Sequence, residues 1–327
     1  MRYRKLGRTG WQVSEIGMGT WALGGDEWGP QEDRDSVAAL HKALAMGCNF
    51  IDTARVYGNG KSEQVIAKAL KQWSGTRPYV ATKISPMLPG DWPPSPYDAV
   101  DARFPESHVR EQLERSLQAL EVDCIDLVQI HTWSRAWNRD PLPFVVLRKA
   151  KEEGKIRAIG VSTPEHDQYA VLDLVRDGWV DTVQVIYNIF DQEAQSQLFP
   201  EALQKDVGII VRVPYDESSL TGKLTGKTTW QPGDVRGSYF AGDRLERTVR
   251  RVEAIRKLCG GEEPNLADAA LKFCLKPAAV STVIPGIRSV WQAEVNCRVG
   301  SLPPLGDDTE AALHHHYWRR SLWGAGK

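Results

Sequence analysis

One feature of the chain limits its possible folds more than any other. Short runs rich in β-branched and aliphatic residues alternate with segments of helical apolar spacing. Strand-like runs fall at 49–51, 79–82, 125–130, 156–161, 182–187, 208–213 and 281–284. Helix-like runs fall between them, at 62–71, 107–120, 144–153, 197–206, 244–258 and 266–275. A further helix is read from Pro164, as its start, to Gly178, as its stop. Ser62 is the expected N-cap of its helix, with Val65, Ile66 and Leu70 on one face. Val109, Leu113, Leu117 and Leu120 form the stripe of the 107–120 segment. Strands separated by helices pair in parallel, and about eight such units are the number that closes a barrel. The chain opens differently, with a hairpin of 3–6 and 11–16 around a turn at 7–10. The predicted fold is α/β: a (β/α)8 TIM barrel with an N-terminal β-hairpin and long catalytic-face loops. At 327 residues the chain is long for one ordinary domain but ordinary for one barrel, and a single domain over 1–327 is expected.

Two segments break the alternation. Residues 85–105 are rich in Pro, Trp and Asp, and 214–243 in Gly, Thr and Ser. Each follows a strand and precedes a helix, which in a barrel places it on the catalytic face. Loops of this length in a compact fold are usually functional.

Charge and cysteine content narrow the class. The net charge is −1, so no broad basic field exists to bind nucleic acid or an acidic membrane. Cys48, Cys124, Cys259, Cys274 and Cys297 are odd in number and lack a CxxC pair, which reads as reduced thiols in a cytoplasmic protein with no zinc site. The N-terminus carries positive charge with no apolar run after it, so no signal peptide is read, and no segment is long and apolar enough to span a membrane. Gly17-Met18-Gly19-Thr20-Trp21-Ala22 fits a GxGxx(G/A) dinucleotide fingerprint. That fingerprint needs a helix to open at its end, and Leu23 to Pro30 reads instead as loop. A tight strand-exit loop is expected there.

The chemistry sits at successive strand ends. Asp52 follows the 49–51 run, with Tyr57 one short loop later; Lys83 ends the next strand and His131 the one after. In a parallel barrel these ends lie side by side. Hydride transfer to a carbonyl builds negative charge on oxygen and needs a proton donor. A free tyrosine, with a pKa of about 10, is a poor acid at neutral pH. A neighbouring lysine ammonium lowers that pKa, and an aspartate keeps the lysine charged. A histidine can hold the carbonyl oxygen. Tyr57 is therefore the expected general acid, Lys83 and Asp52 its tuners, and His131 the positioning group.

At these residues the chain resembles the aldo-keto reductases over nearly its whole length. The family's DxxxxYG segment appears as Asp52 to Gly58, its lysine as Lys83 and its histidine as His131. The resemblance implies that Ser162, Thr163 and Gln184 hold a nicotinamide carboxamide, and that Gly19, Thr20, Trp21 and Asp52 line the cofactor site. It implies a pyrophosphate-covering loop through Pro214, Leu220, Gly222 and Lys223. It implies an adenosine-phosphate clamp of Pro285, Gly286, Arg288, Gln292 and Asn296. Thr163 stands where the family usually has asparagine, and Arg212 near where an aromatic often stacks on the nicotinamide. Arg288 favours NADP(H) over NAD(H) as cofactor, through its 2′-phosphate. Trp21, Tyr57, Trp92, His131 and Trp133 are expected to wall the substrate pocket, with Trp137 close by. The expected function is reduction of a small-molecule aldehyde or ketone. Net alcohol or sugar oxidation and a nicotinamide-binding regulatory subunit are the alternatives. His314-His315-His316 is read as part of a C-terminal helix, because contiguous histidines on a helix point apart, and no metal is expected.

Overall fold

The computed structural model describes residues 1–87, 92–165, 167–259 and 266–318. Its N-terminal hairpin pairs β1 (Tyr3–Lys5) with β2 (Gln12–Ser14) in antiparallel register. Leu6 and Val13 of this hairpin pack with Phe50, Ala81, Leu127, Ala158 and Ile210, so it closes the N-terminal end of the barrel.

The barrel strands are β3 (Met18–Gly19), β4 (Phe50–Asp52), β5 (Tyr79–Ile84), β6 (Ile125–His131), β7 (Ile156–Ser162), β8 (Thr182–Ile186), β9 (Gly208–Arg212) and β10 (Val280–Val283). They pair in parallel in sequence order. Parallel bridges from Ile16 to Val283 and from Gly19 to Gly286 join the first strand region to the last. Strand periodicity then sorts the side chains. Along β5 and β6, Val80, Ile84, Val128 and Ile130 face the helices, while Ala81, Lys83, Leu127, Gln129 and His131 alternate with them toward the barrel axis. The inward layer is apolar at the hairpin end and polar at the other.

The surrounding helices are α1 (Asp33–Ala45), α2 (Lys61–Lys71), α3 (Val100–Arg103), α4 (Glu106–Leu120), α5 (Leu142–Glu152), α6 (Leu172–Arg176), α7 (Leu198–Gln204), α8 (Val235–Tyr239), α9 (Arg244–Leu258), α10 (Leu266–Leu275), α11 (Val290–Cys297) and α12 (Asp307–His314). Several differ from the sequence reading. Helix α1 was not anticipated: Ala39 and Ala43 supply much of its buried face, so its apolar stripe is muted. Ser62 is not an N-cap. It lies inside α2, fully buried, where its hydroxyl meets those of Thr53 and Thr20 at 2.9 Å each, and Gly60 occupies the cap position. The helix expected from Pro164 shrinks to α6. Gln168 and Tyr169 instead hold turns against the next βα loop, through Asp191 at 3.0 Å and the Glu193 carbonyl at 2.5 Å. The C-terminal helix ends at His314, so His315 and His316 lie in the turn beyond it. The segment after Met18 is the expected strand exit, continuing into a 3-10 turn, Trp21–Gly24. Strands β4, β5, β6 and β7 run one or two residues further than read, so Asp52, Lys83 and His131 belong to the ladder itself. The long loops carry α3 and α8, and residues 88–91 of the first lie outside the described residues. All five cysteines are free thiols. Among the described residues no helix is long and apolar enough to cross a membrane.

Candidate active site

At the C-terminal end of the barrel the inward side chains form one hydrogen-bonded group. Lys83 and Asp52 are both buried, and Lys83 Nζ donates to Asp52 Oδ1 at 2.5 Å. The same ammonium donates to the Thr53 carbonyl at 2.9 Å and to Tyr57 Oη at 3.1 Å. Its three protons are thereby placed, which is how a cation tolerates such burial. Asp52 Oδ2 accepts from Gln184 Nε2 at 2.7 Å and from Gln129 Nε2 at 3.1 Å. Burial works against the Lys83 charge, but Asp52 and Tyr57 outweigh it and hold the ammonium above its usual range.

Tyr57 is aimed by a backbone contact. Gly58 has φ +59°, and a Cβ there would lie 2.4 Å from the Gly24 carbonyl oxygen. Only glycine permits this approach of the loop after β4 to the loop after β3. The contact brings Trp21 alongside the phenol, with ring centroids 6.0 Å apart and planes 24° from parallel. The expected lowering of the phenol's pKa is not the net result. Burial raises it above its ordinary value, Lys83 pulls it down and Asp52 pushes it up. The hydroxyl therefore keeps its proton at neutral pH, as a proton donor must.

His131, at the strand end, is half-buried, and desolvation first, then Lys83 and Arg212, drives its pKa well below the usual imidazole range. It is a neutral ring, and its Nδ1 has no hydrogen-bond partner. Trp92 packs edge-on against it at 4.8 Å.

Asp52, Tyr57 and His131 open into a cavity of about 1220 Å³. Its wall includes Gly19, Thr20, Trp21 and Gln184 of the expected cofactor set, then Arg212, Pro214, Lys223, Gly286, Arg288, Gln292 and Asn296. Lys83 lies beneath it. Trp92 lines it, but Trp133 does not: that indole is buried, donates to Asn138 Oδ1 at 2.7 Å and packs edge-on against Trp137 and Phe144. Trp137 is likewise buried, against Phe104. Leu220 is buried in the core, and the Gly222 carbonyl is held by Arg256 at 2.7 Å, so these two anchor the long loop rather than face the cavity. Pro285 is buried, and its carbonyl accepts from the Gly19 amide at 2.9 Å.

The family model "Aldo/keto reductase family" matches residues 15–317. The chain belongs to the aldo/keto reductase family. It is 32% identical over 302 residues to "Aldo-keto reductase YhdN" of Bacillus subtilis, covering 90% of this chain and 87% of that protein. It is 31% identical to "NADH-specific methylglyoxal reductase" of Escherichia coli, covering 96% and 97%. Among solved structures, the glycerol dehydrogenase AKR11B4 from Gluconobacter oxydans is similar with a TM-score of 0.76 and 28% identity, over 94% of this chain and 92% of that one. This aldo/keto reductase is an NAD(P)H-dependent oxidoreductase.

Of the residues expected at a carboxamide, Gln184 lines the cavity, whereas Ser162 and Thr163 are fully buried and form no part of its wall. Ser162 Oγ and Thr163 Oγ1 are buried without hydrogen-bond partners, next to Gln184, whose carbonyl accepts the Thr163 amide at 2.9 Å. Neither hydroxyl is exposed to the cavity, so in this arrangement a ligand on the wall meets Gln184 and not this pair. Arg212 lies over this corner, donating to the Thr163 carbonyl at 3.0 Å and pairing with Glu165 at 3.5 Å. Gln184 is the group of the three that fits a carboxamide in the cavity. Arg288 is differently placed from its expected role: it donates to the Trp28 and Pro30 carbonyls at 2.6 and 2.9 Å. Gln292 accepts from the Arg288 amide at 2.8 Å, and Asn296 from Tyr215 Oη at 2.8 Å.

Sequence reasoning missed three acidic or amide groups. Gln129 has a visible signal, a lone amide in the apolar run Ile125–His131. Glu165 and Glu217 have none, since both lie in loops. Glu217 lines the cavity, and its pKa is pushed up to about 7, by burial above all, with Arg212 and Arg236 opposing and Glu165 and Asp234 adding.

Proposed function

We propose that the protein reduces an aldehyde or ketone to the alcohol with NADPH. The observation that carries this reading is the direction of one hydrogen bond. Lys83 donates to the Tyr57 oxygen, and among the described residues that hydroxyl donates to none. Its own proton is left for an acceptor in the cavity. Tyr57 is then the general acid for a carbonyl oxygen placed beside it, and Lys83 stabilises the phenolate left behind. Asp52 keeps Lys83 charged. His131, neutral under working conditions, donates a hydrogen bond to the same carbonyl oxygen as charge develops there. A bound nicotinamide would supply the hydride. Gln184 is the residue we assign to its carboxamide, with Ser162 and Thr163 buried behind it, and Arg212 offers a guanidinium plane to the ring.

Trp21, Trp28 and Trp92 surround the Tyr57 and His131 edge of the cavity, which favours a bulky or aromatic carbonyl over a small polar one. For NADPH over NADH the argument rests on Arg288. A charge-assisted bond to a phosphate is roughly twice as strong as one to a neutral carbonyl, so a 2′-phosphate can draw the guanidinium from Trp28 and Pro30. The Escherichia coli relative named NADH-specific sets the contrasting outcome. Net alcohol oxidation is the second reading. The same proton path serves it in reverse, and a 31% identical relative is "L-galactose dehydrogenase" of Arabidopsis thaliana.

The test is binding of NADPH and NADH by quenching of tryptophan fluorescence, followed by addition of an aromatic aldehyde with absorbance monitored. NADPH binding followed by its oxidation supports the reductase. Binding without turnover across a carbonyl panel, with turnover of alcohols and NADP+, moves the assignment to oxidation. Failure to bind either nucleotide overturns both.

A further inference from the structure

We infer that Gln129 is a positioning residue for the Asp52, Lys83 and Tyr57 chain: seated in the space that Gly160 leaves open, its amide fixes one oxygen of Asp52 while the other holds Lys83. This deepens the proposed function and rests on it. Gln129 stands between Lys83 and Gly160 in the ladder, on β6 between β5 and β7. It is fully buried and forms no part of the cavity wall. A Cβ at Gly160 would lie 2.9 Å from Gln129 Cγ and 2.5 Å from Thr182 Oγ1. The bare glycine therefore makes room for the glutamine to cross the barrel axis to Asp52.

The bonding is closed. Gln129 Nε2 donates to Asp52 Oδ2 at 3.1 Å, beside the 2.7 Å bond from Gln184 Nε2. Gln184 also donates to Gln129 Oε1 at 3.4 Å. Two neutral amides thus stabilise the carboxylate without adding positive charge that would compete with Lys83. A carboxylate lacking one of these donors turns toward other partners, and the Lys83 ammonium that bonds Tyr57 turns with it. Gln184 faces the cavity and Gln129 does not, so the two glutamines are separable by experiment.

Gln129→Met keeps the volume and removes the amide. We expect kcat to fall by about tenfold to a hundredfold, the scale of a misplaced reacting group. NADPH affinity should stay within roughly twofold, because Gln129 does not line the cavity. Gln184→Met should weaken both. Gln129→Glu adds the diagnostic readout. Two carboxylates in contact share a proton, so a protonated Glu donates to Asp52 as the amide did. Of the titratable and charged groups here, Asp52 bonds this position directly, Lys83 and Tyr57 follow in the chain, and His131 and Arg212 interact with that chain electrostatically. Activity of the Glu variant should approach wild type at acidic pH and fall as the shared proton leaves. Ultraviolet titration of tyrosinate, with Tyr57→Phe as blank, should move to higher pH in the Glu variant.

A Gln129→Met enzyme with wild-type kcat would overturn the inference. So would a Glu variant whose pH profile and tyrosinate titration match wild type, and this second arm decides the matter if the Met variant does not fold. Tyr57→Phe separates the two failures. If that variant keeps its rate, the proposed reaction falls; if it is inactive while Gln129 variants are normal, only the role of Gln129 falls.

Discussion

Lys83 and Arg288 are both cations beside one cavity, yet they are held in different ways. Lys83 lies on a strand, and two of its three acceptors, Asp52 and Thr53, are fixed by the neighbouring strand and its exit. Arg288 follows a strand by several residues and bonds to two carbonyls of a loop. The strand-borne group is complete before any ligand arrives. The loop-borne group has neutral partners that a charged ligand can displace. Chemistry that depends on sub-ångström placement thus sits on the ladder, and recognition that requires exchange of partners sits on loops.

The sharpest test of this contrast is Tyr57→Phe. Loss of the proton donor should lower turnover by about a hundredfold to ten-thousandfold, with nucleotide affinity nearly unchanged in a fluorescence titration. An active Phe variant would show that the strand-end group is not the acid. Next is Lys83→Met, which leaves the buried Asp52 carboxylate without its cation. We expect a stability loss of about 3–5 kcal/mol in denaturant unfolding, as for other broken buried pairs. A small loss would mean that the two glutamine amides alone satisfy Asp52. At the rim, Arg288→Ala should weaken NADPH by about tenfold, or 1.4 kcal/mol, while NADH changes little. Equal weakening of the two nucleotides would assign Arg288 to holding the loop at Trp28 and Pro30 instead.

The smallest expected effect is at Glu217. Its folded pKa of about 7 lies above its unfolded value, so the folded state holds its proton more tightly. The stabilisation is complete below the unfolded pKa and is lost as pH rises through about 7. Glu217→Gln should flatten that part of the stability profile in thermal unfolding. An unchanged slope would place the titration elsewhere.

Much of the barrel was readable because both faces of a parallel strand are buried and its helices carry one apolar stripe. Where that stripe was built from alanine, as in α1, the periodicity faded and the helix was missed. Where side chains reached across to another loop, as Gln168 does to Asp191, local helix signals around Pro164 gave way to turns. Ser62 shows the same conflict: a good capping residue locally, it is buried against Thr20 and Thr53. Among the pocket residues, Trp133 failed the sequence reading because an aromatic after a strand end can turn outward to the helices as readily as inward.

The sequence by itself determined the succession of strands with most of the helices between them, and the presence of Asp52, Lys83 and His131 at strand ends with Tyr57 one loop beyond. Those features follow from periodicity and from residue type, which are local. The tertiary structure alone decided which proton points where. It set the Lys83 bond toward the Tyr57 oxygen, the paired amides on Asp52, the net rise in the Tyr57 pKa and the commitment of Arg288 to a loop. Each of these depends on burial and on partners distant in the chain, and a low-dielectric interior makes such partners decide the charge state.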